Sequence, residues 1–274
     1  MSSDSAHKVS FRTVEVSDPR WERDGLRHVT VKSAALGQRA DLSLFVCPEV
    51  VGLTAVPLVI LLHGVYGSHW AWALKGGAHE TAARLIAEGA IPPMVLAMPS
   101  DGLWGDGSGY LTHPEQDFER WMVAEVPVAA AYGAPCLSDQ SPLFIAGLSM
   151  GGFAALRLAG KYPKRFRAAS AHSAATHFEQ LLGVTEEAEA RFGVRKEDHS
   201  VLDALMKSPE ELPPFRFDCG TEDWLIEPNR QLHEALSLAG VEHGYEEHPG
   251  AHDWLYWERH LEDSLRFFGS VLRR

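Results

Sequence analysis

Leu143-Phe144-Ile145-Ala146-Gly147-Leu148-Ser149-Met150-Gly151-Gly152, continuing as FAALRLAGK to Lys161, is the stretch on which the fold turns. Its first half is a continuous apolar run, as expected of a parallel strand buried on both faces, and its second half is rich in good helix formers. Ser149 stands between them in a GxSxG string. A serine on a sharp strand-to-helix turn needs glycine two residues before and two after, so that strand and helix can pass closely. The helix N-terminus behind it favours developing negative charge. In a chain with 24 glycines the string alone says little; the strand-turn-helix context gives it weight. A serine that merely capped a helix would need no glycines on both sides. Ser149 is the candidate nucleophile.

Outward from this stretch, the same apolar continuity recurs in PLVILLH (57–63), PMVLAMP (93–99) and FRAASA (166–171), and further strands are expected at PFRFDCG (214–220) and near Tyr245. Helical spacing lies between them, over 78–88, over Asp117 to about Val126, and in a last stripe of Trp254, Trp257, Leu261, Leu265, Phe268 and Leu272. Upstream the pattern shortens to alternating runs: Val9 and Phe11 into Val14 and Val16, then His28 to Val31, then Leu42, Leu44 and Val46. The expectation is an α/β protein whose central sheet is mostly parallel, with antiparallel N-terminal strands and helices on both faces. The 274 residues show no repeat or linker, so one domain over 1–274 is expected, with a charged, mostly helical insertion at 174–213. Such a charge run reads first as a solvated face and second as a small cap.

Composition excludes several classes. Twenty-five Lys and Arg against 37 Asp and Glu leave a net charge of −12, which repels phosphate backbones and anionic lipid. Nucleic acid and membranes are not expected partners. Cys47, Cys136 and Cys219 lack CxxC spacing, so neither a disulfide framework nor a zinc cluster is written here. The N-terminal MSSDSAHKVS carries no apolar leader, and the expected location is cytoplasmic. The 14 histidines lack HxxxH pairs with a third ligand, so neither a metal nor another cofactor is expected. A homo-oligomer stays open.

In an open parallel sheet, ligands bind beyond the carboxyl ends of the strands. Three more such loops carry chemistry. After PLVILL comes His63-Gly64-Val65-Tyr66-Gly67. Acyl transfer needs two N–H donors aimed at the tetrahedral oxyanion, one from this loop and one from the residue after the nucleophile, which makes them Val65 and Met150. His63 itself reads as a buried turn residue and not as a catalyst. After PFRFDCG comes Thr221-Glu222-Asp223-Trp224, where a carboxylate is needed to orient a histidine. Asp223 is favoured over Asp218, which falls inside the strand, and over Glu222, which points the other way if Asp223 points in. After the last strand comes His248-Pro249-Gly250-Ala251-His252-Asp253-Trp254. His252 lies past the Pro-Gly turn, free to reach Ser149, and is the proposed base, whereas His248 closes the strand. Tyr66, Trp70, Trp72, Trp104, Tyr110, Trp224 and Trp254 gather near these strand ends. Aromatics at such positions are more often core than pocket, and only Tyr66 and Trp70 are named as substrate-binding candidates.

Together, LLHGVYGSHWAW, PPMVLAMPSDG, GLSMGGFAALRLA, DCGTEDWL and PGAHDWLYW resemble the esterase D family of α/β hydrolases over about residues 25–272. That family includes tributyrin-type carboxylesterases, feruloyl and acetyl-xylan esterases, S-formylglutathione hydrolases and mycolyltransferases. The resemblance implies an α/β-hydrolase fold with Ser149 as nucleophile, Asp223 as acid and His252 as base, and oxyanion N–H groups at Val65 and Met150. The chain order Ser, Asp, His is the order of that fold. HGVYGSHW lacks the cysteine typical of the formylglutathione hydrolases and is more similar to the tributyrin and feruloyl branches. The expected function is a serine carboxylesterase acting on a small-molecule short-chain acyl or aryl ester. A thioesterase or acyltransferase with the same site, and a non-catalytic ligand-binding scaffold, are the alternatives.

Overall fold

The computed structural model describes residues 9–273. The first eight residues, which hold most of the stretch read as lacking an apolar leader, and Arg274 lie outside the described residues. The strands are β1 (Val14–Val16), β2 (Leu26–Lys32), β3 (Arg39–Phe45), β4 (Leu58–Leu62), β5 (Val95–Pro99), β6 (Leu143–Leu148), β7 (Ala168–His172), β8 (Phe215–Gly220) and β9 (Gly244–His248). They form one sheet in the order β1-β2-β3-β5-β4-β6-β7-β8-β9. β1, β2 and β3 pair antiparallel, as does β3 with β5, and every remaining pair is parallel. Val9 and Phe11 precede β1 and are not part of it.

Each residue of β4 through β8 is buried, which is why β4, β5 and β6 read as unbroken apolar runs. Burying each Val, Leu or Ile side chain there contributes roughly 1.5–3 kcal/mol against the entropy of ordering the chain. β2 and the edge strand β9 keep a wetter face and alternate or fade accordingly. The helix Met150–Lys161 is buried from Met150 to Gly160 and packs on β6 and β7. The stretch starting at Asp117 runs past the expected end at Val126 to Gly133, through a π-helical turn at Trp121–Glu125. A helix at Ile226–Leu238 had no clear periodic signal, because its inner side is only Asn229, Leu232 and Leu236. Among the described residues no helix is long and apolar enough to cross a membrane.

The insertion holds short helices at Phe178–Leu182, Glu189–Phe192 and Val201–Leu205. It is more than a solvated face. Phe178 and Phe192 meet at 5.1 Å between ring centroids, and Phe192 reaches Trp104 at 4.9 Å. Asp198 goes under the surface to Arg157, whose fully buried guanidinium donates to Glu119 at 2.5 Å, to Asp198 at 2.8 Å and to the Tyr110 carbonyl at 2.7 Å. A charged segment therefore docks through an ion cluster as well as through aromatic rings. Because β4, β6, β8 and β9 all run parallel, the chain leaves each at the same sheet end, and the four loops singled out above meet there.

Candidate active site

Ser149 follows β6 directly and has φ 53° and ψ −117°. That backbone conformation costs about 1–3 kcal/mol and persists only where its surroundings over-determine it. Two glycines supply the constraint. A Cβ on Gly147 would stand 2.3 Å from the Gly151 carbonyl oxygen, and one on Gly151 would stand 2.4 Å from the carbonyl oxygen of Leu62 in β4. The Ser149 N–H donates to the His172 carbonyl at 3.0 Å. The turn thus lifts the side chain clear of the sheet, and Ser149 remains 5% exposed.

His252 comes to this hydroxyl from the loop after β9. Its Nε2 lies 3.0 Å from Ser149 Oγ, and its Nδ1 lies 3.0 and 2.9 Å from the two carboxylate oxygens of Asp223. A carboxylate can only accept from Nδ1, so the proton sits there and Nε2 turns its lone pair to the serine. Asp223 is buried, and its Oδ1 also accepts the Leu225 N–H at 2.8 Å. Glu222 is exposed, as the alternation after β8 requires. Trp224 and Trp257 flank the imidazole at 5.3 and 5.0 Å between centroids.

Gly64 brings the loop after β4 against the serine: a Cβ there would sit 2.8 Å from Leu148 Cδ1 and 3.3 Å from Ser149 Cβ. Among the described residues neither the Val65 nor the Met150 N–H has an acceptor. His63 is buried, with Nδ1 on the Gly64 carbonyl at 2.7 Å, and does not face the cleft. The cleft measures about 360 Å³ and is lined by Tyr66, Trp70, Ser149, His252, Trp254 and Trp257 among others. Trp72 and Tyr110 are core, and Trp104 packs on the insertion. A larger hollow of about 700 Å³, with Trp21, His28 and Glu80 on its walls, shares Lys75 with the cleft but holds neither Ser149 nor His252.

Sequence reading missed a second arrangement. Asp218 accepts from His172 Nδ1 at 2.9 Å, and His172 Nε2 lies 2.8 Å from Ser264 Oγ. All three are fully buried, and Arg216 and the Tyr256 hydroxyl also bond Asp218 at 2.8 and 2.9 Å. The network ties β7 and β8 to the helix Trp254–Leu272. Its sequence signal was a pair of charged residues, Arg216 and Asp218, inside a strand buried throughout. His248, His260 and Asp263 have donor atoms within 4.8 Å of one another, but the two imidazoles stack at 4.2 Å with planes 13° apart. In-plane lone pairs on near-parallel rings do not converge on one ion.

A strained serine after a central parallel strand, with an aspartate and a histidine from the ends of the last two strands, defines a serine hydrolase of the α/β-hydrolase fold. Residues 33–268 match the family described as "Putative esterase", and the chain belongs to it. It is a carboxylic ester hydrolase. An acetyl esterase of Caldicellulosiruptor saccharolyticus is 26% identical over 230 residues, 77% of this chain and 82% of that one. A solved ferulic acid esterase superposes with a TM-score of 0.79 at 24% identity, covering 94% of this chain and 99% of that one. The S-formylglutathione hydrolase of Agrobacterium tumefaciens follows the same fold, with a TM-score of 0.73 at 18% identity, covering 96% and 100%.

Proposed function

We propose that this protein is a serine carboxylesterase that cleaves short-chain acyl or aryl esters through an acyl-enzyme on Ser149. The observation supporting it is the unbroken hydrogen-bond chain from Ser149 Oγ through His252 to Asp223. Ser149 Oγ attacks the ester carbonyl carbon as its proton passes to His252 Nε2. The carbonyl oxygen becomes an oxyanion, for which the free N–H groups of Val65 and Met150 are the available donors. Asp223 stabilises the imidazolium, which then gives its proton to the departing alkoxide oxygen. Water repeats the sequence on the acyl-enzyme, losing its proton to His252 and releasing the acid and Ser149.

The apolar, aromatic wall of the cleft suits a small acyl group or a flat aryl acid. The similar acetyl esterase supports the small end of that range. Thioester hydrolysis would use the same steps with a sulfur leaving group, and a non-catalytic scaffold would have no need of an intact proton path. The test is Ser149→Ala with p-nitrophenyl acetate and S-formylglutathione as substrates. The expected outcome is a fall in kcat on the order of 10⁴-fold or more, and loss of the pre-steady-state burst. Near-normal turnover by that variant would overturn the mechanism.

A further inference from the structure

We infer that residues 184–187 of the insertion brace the loop that carries the Val65 N–H, with Tyr66 and Asp106 as positioning residues. The inference rests on the proposed role of Val65 as an oxyanion donor. Tyr66, the next residue, has φ 61°, a conformation that a bulky side chain rarely adopts and that must be held from outside. Both of its ends are held. Its N–H donates to the Asp106 carbonyl at 2.7 Å, and its hydroxyl donates to the Val184 carbonyl.

Asp106 completes a ring with the same segment. Its Oδ2 accepts the Glu186 N–H at 2.8 Å, and its own N–H donates to Glu187 Oε2 at 3.2 Å. The Glu187 carboxylate fills the space beside Gly105, where a Cβ would come within 2.0 Å of Glu187 Oε1. Four hydrogen bonds therefore connect Tyr66, Asp106 and residues 184–187 in a closed circuit. The peptide plane between Val65 and Tyr66 is fixed from one side by this circuit. On the other side Gly64 is fixed by its contact with Leu148 and Ser149. Val65 lies between two anchored points, so its N–H direction is set by the insertion as much as by its own loop. Within the segment the Glu187 carboxylate is the acceptor for the Asp106 N–H.

An oxyanion donor acts in the transition state and little in the ground state, so loosening the brace should lower kcat and spare KM. The experiment compares Tyr66→Phe, Asp106→Ala, Asp106→Asn and Ser149→Ala with wild type. The readouts are p-nitrophenyl acetate kinetics and inhibition by an aryl trifluoromethyl ketone, whose Ser149 adduct carries the oxyanion. Tyr66→Phe and Asp106→Ala should each lower kcat about 10- to 100-fold with KM within about twofold, and weaken the ketone by a similar factor. Asp106→Asn keeps an acceptor oxygen for the Glu186 N–H and should recover most of the loss. The brace is overturned if kcat in Tyr66→Phe and Asp106→Ala stays near wild type while Ser149→Ala is inert. It is equally overturned if only KM moves, or if Asp106→Asn is as poor as Asp106→Ala. An active Ser149→Ala would instead remove the catalytic reading on which the brace depends.

Discussion

Asp218 and Asp223 each face the Nδ1 of a histidine that in turn faces a serine, at nearly the same distances. Access separates them. The Asp223 set opens on a cleft, whereas the Asp218 set is sealed between β7, β8 and the last helix. Burial alone would raise the Asp218 carboxyl, but His172, Arg216 and Tyr256 hold it down at about 2. Removing its charge leaves Arg216 with Glu246 as its remaining carboxylate partner and weakens the bonds from His172 and Tyr256, so Asp218→Asn should cost about 1–3 kcal/mol in urea unfolding. The variant that still folds should keep kcat within about tenfold of wild type. Asp223→Asn should do the reverse, with kcat falling on the order of 10⁴-fold because His252 loses its tautomer, and with little change in the urea midpoint. If the two variants exchanged phenotypes, the acid assignment would be wrong. Sequence position favoured Asp223 by its place three residues past the strand, and Asp218 by nothing except its oddity there. That oddity reports a structural role, which periodicity cannot distinguish from a catalytic one.

At the level of elements, the cleft is walled by the loops after β4 and β6 and by residues 252–257, and these decide how much substrate it accommodates. The insertion packs its Phe192 on Trp104, and its 184–187 stretch ties down Tyr66 at the cleft mouth. Each buried acyl CH₂ gains about 0.8 kcal/mol only while the pocket has room for it. A cleft of about 360 Å³ that is shared with the leaving group fills quickly. Along a p-nitrophenyl series from acetate to palmitate, kcat/KM should peak between acetyl and about butyryl. A maximum at decanoate or longer, or activation at lipid interfaces, would reveal a deep channel or a moving lid. The charge of the insertion was legible from the sequence. That its buried Asp198 serves Arg157 and its Glu187 serves Asp106 was not, because both partners lie far away along the chain.

For the molecule as a whole, the buried ions set how stability responds to acid. Burial opposes ionisation of Glu119 and Asp198, yet Arg157 beside them more than offsets it, with Lys161 helping and the Tyr162 hydroxyl aiding Glu119, so both stay below their ordinary values. Their unfolded counterparts bind protons first as pH falls, so this stability is complete above the ordinary carboxylate range and is lost as pH drops through the depressed folded values. His113 acts in an adjoining window. Burial lowers it from 6.5 to about 4, so the unfolded chain takes up a proton that the folded one refuses, and stability declines between those values. Thermal midpoints measured from pH 7 downward should therefore fall in two stages. Glu119→Gln should lower the neutral-pH midpoint and flatten the more acidic stage. A midpoint constant down to the carboxylate range would count against the His113 contribution.

What the sequence determined by itself is what local physics can encode. Continuous apolar runs announced the buried parallel strands, alternation announced the wetter antiparallel edge, and the glycines around Ser149 announced a turn that only they can make. The loops after β4, β6, β8 and β9 followed, because a parallel sheet delivers its strand ends to one side. The tertiary structure decided what depends on residues distant in the chain. It put Asp218 on His172, Asp198 on Arg157, and Val184 on the Tyr66 hydroxyl. It also left the helix at Ile226–Leu238 to be stabilised by packing, since its short buried stripe has a polar member. Hydrogen bonds and ion pairs across such separations leave no periodic trace, because each partner satisfies its own local pattern and meets the other only when the sheet has assembled.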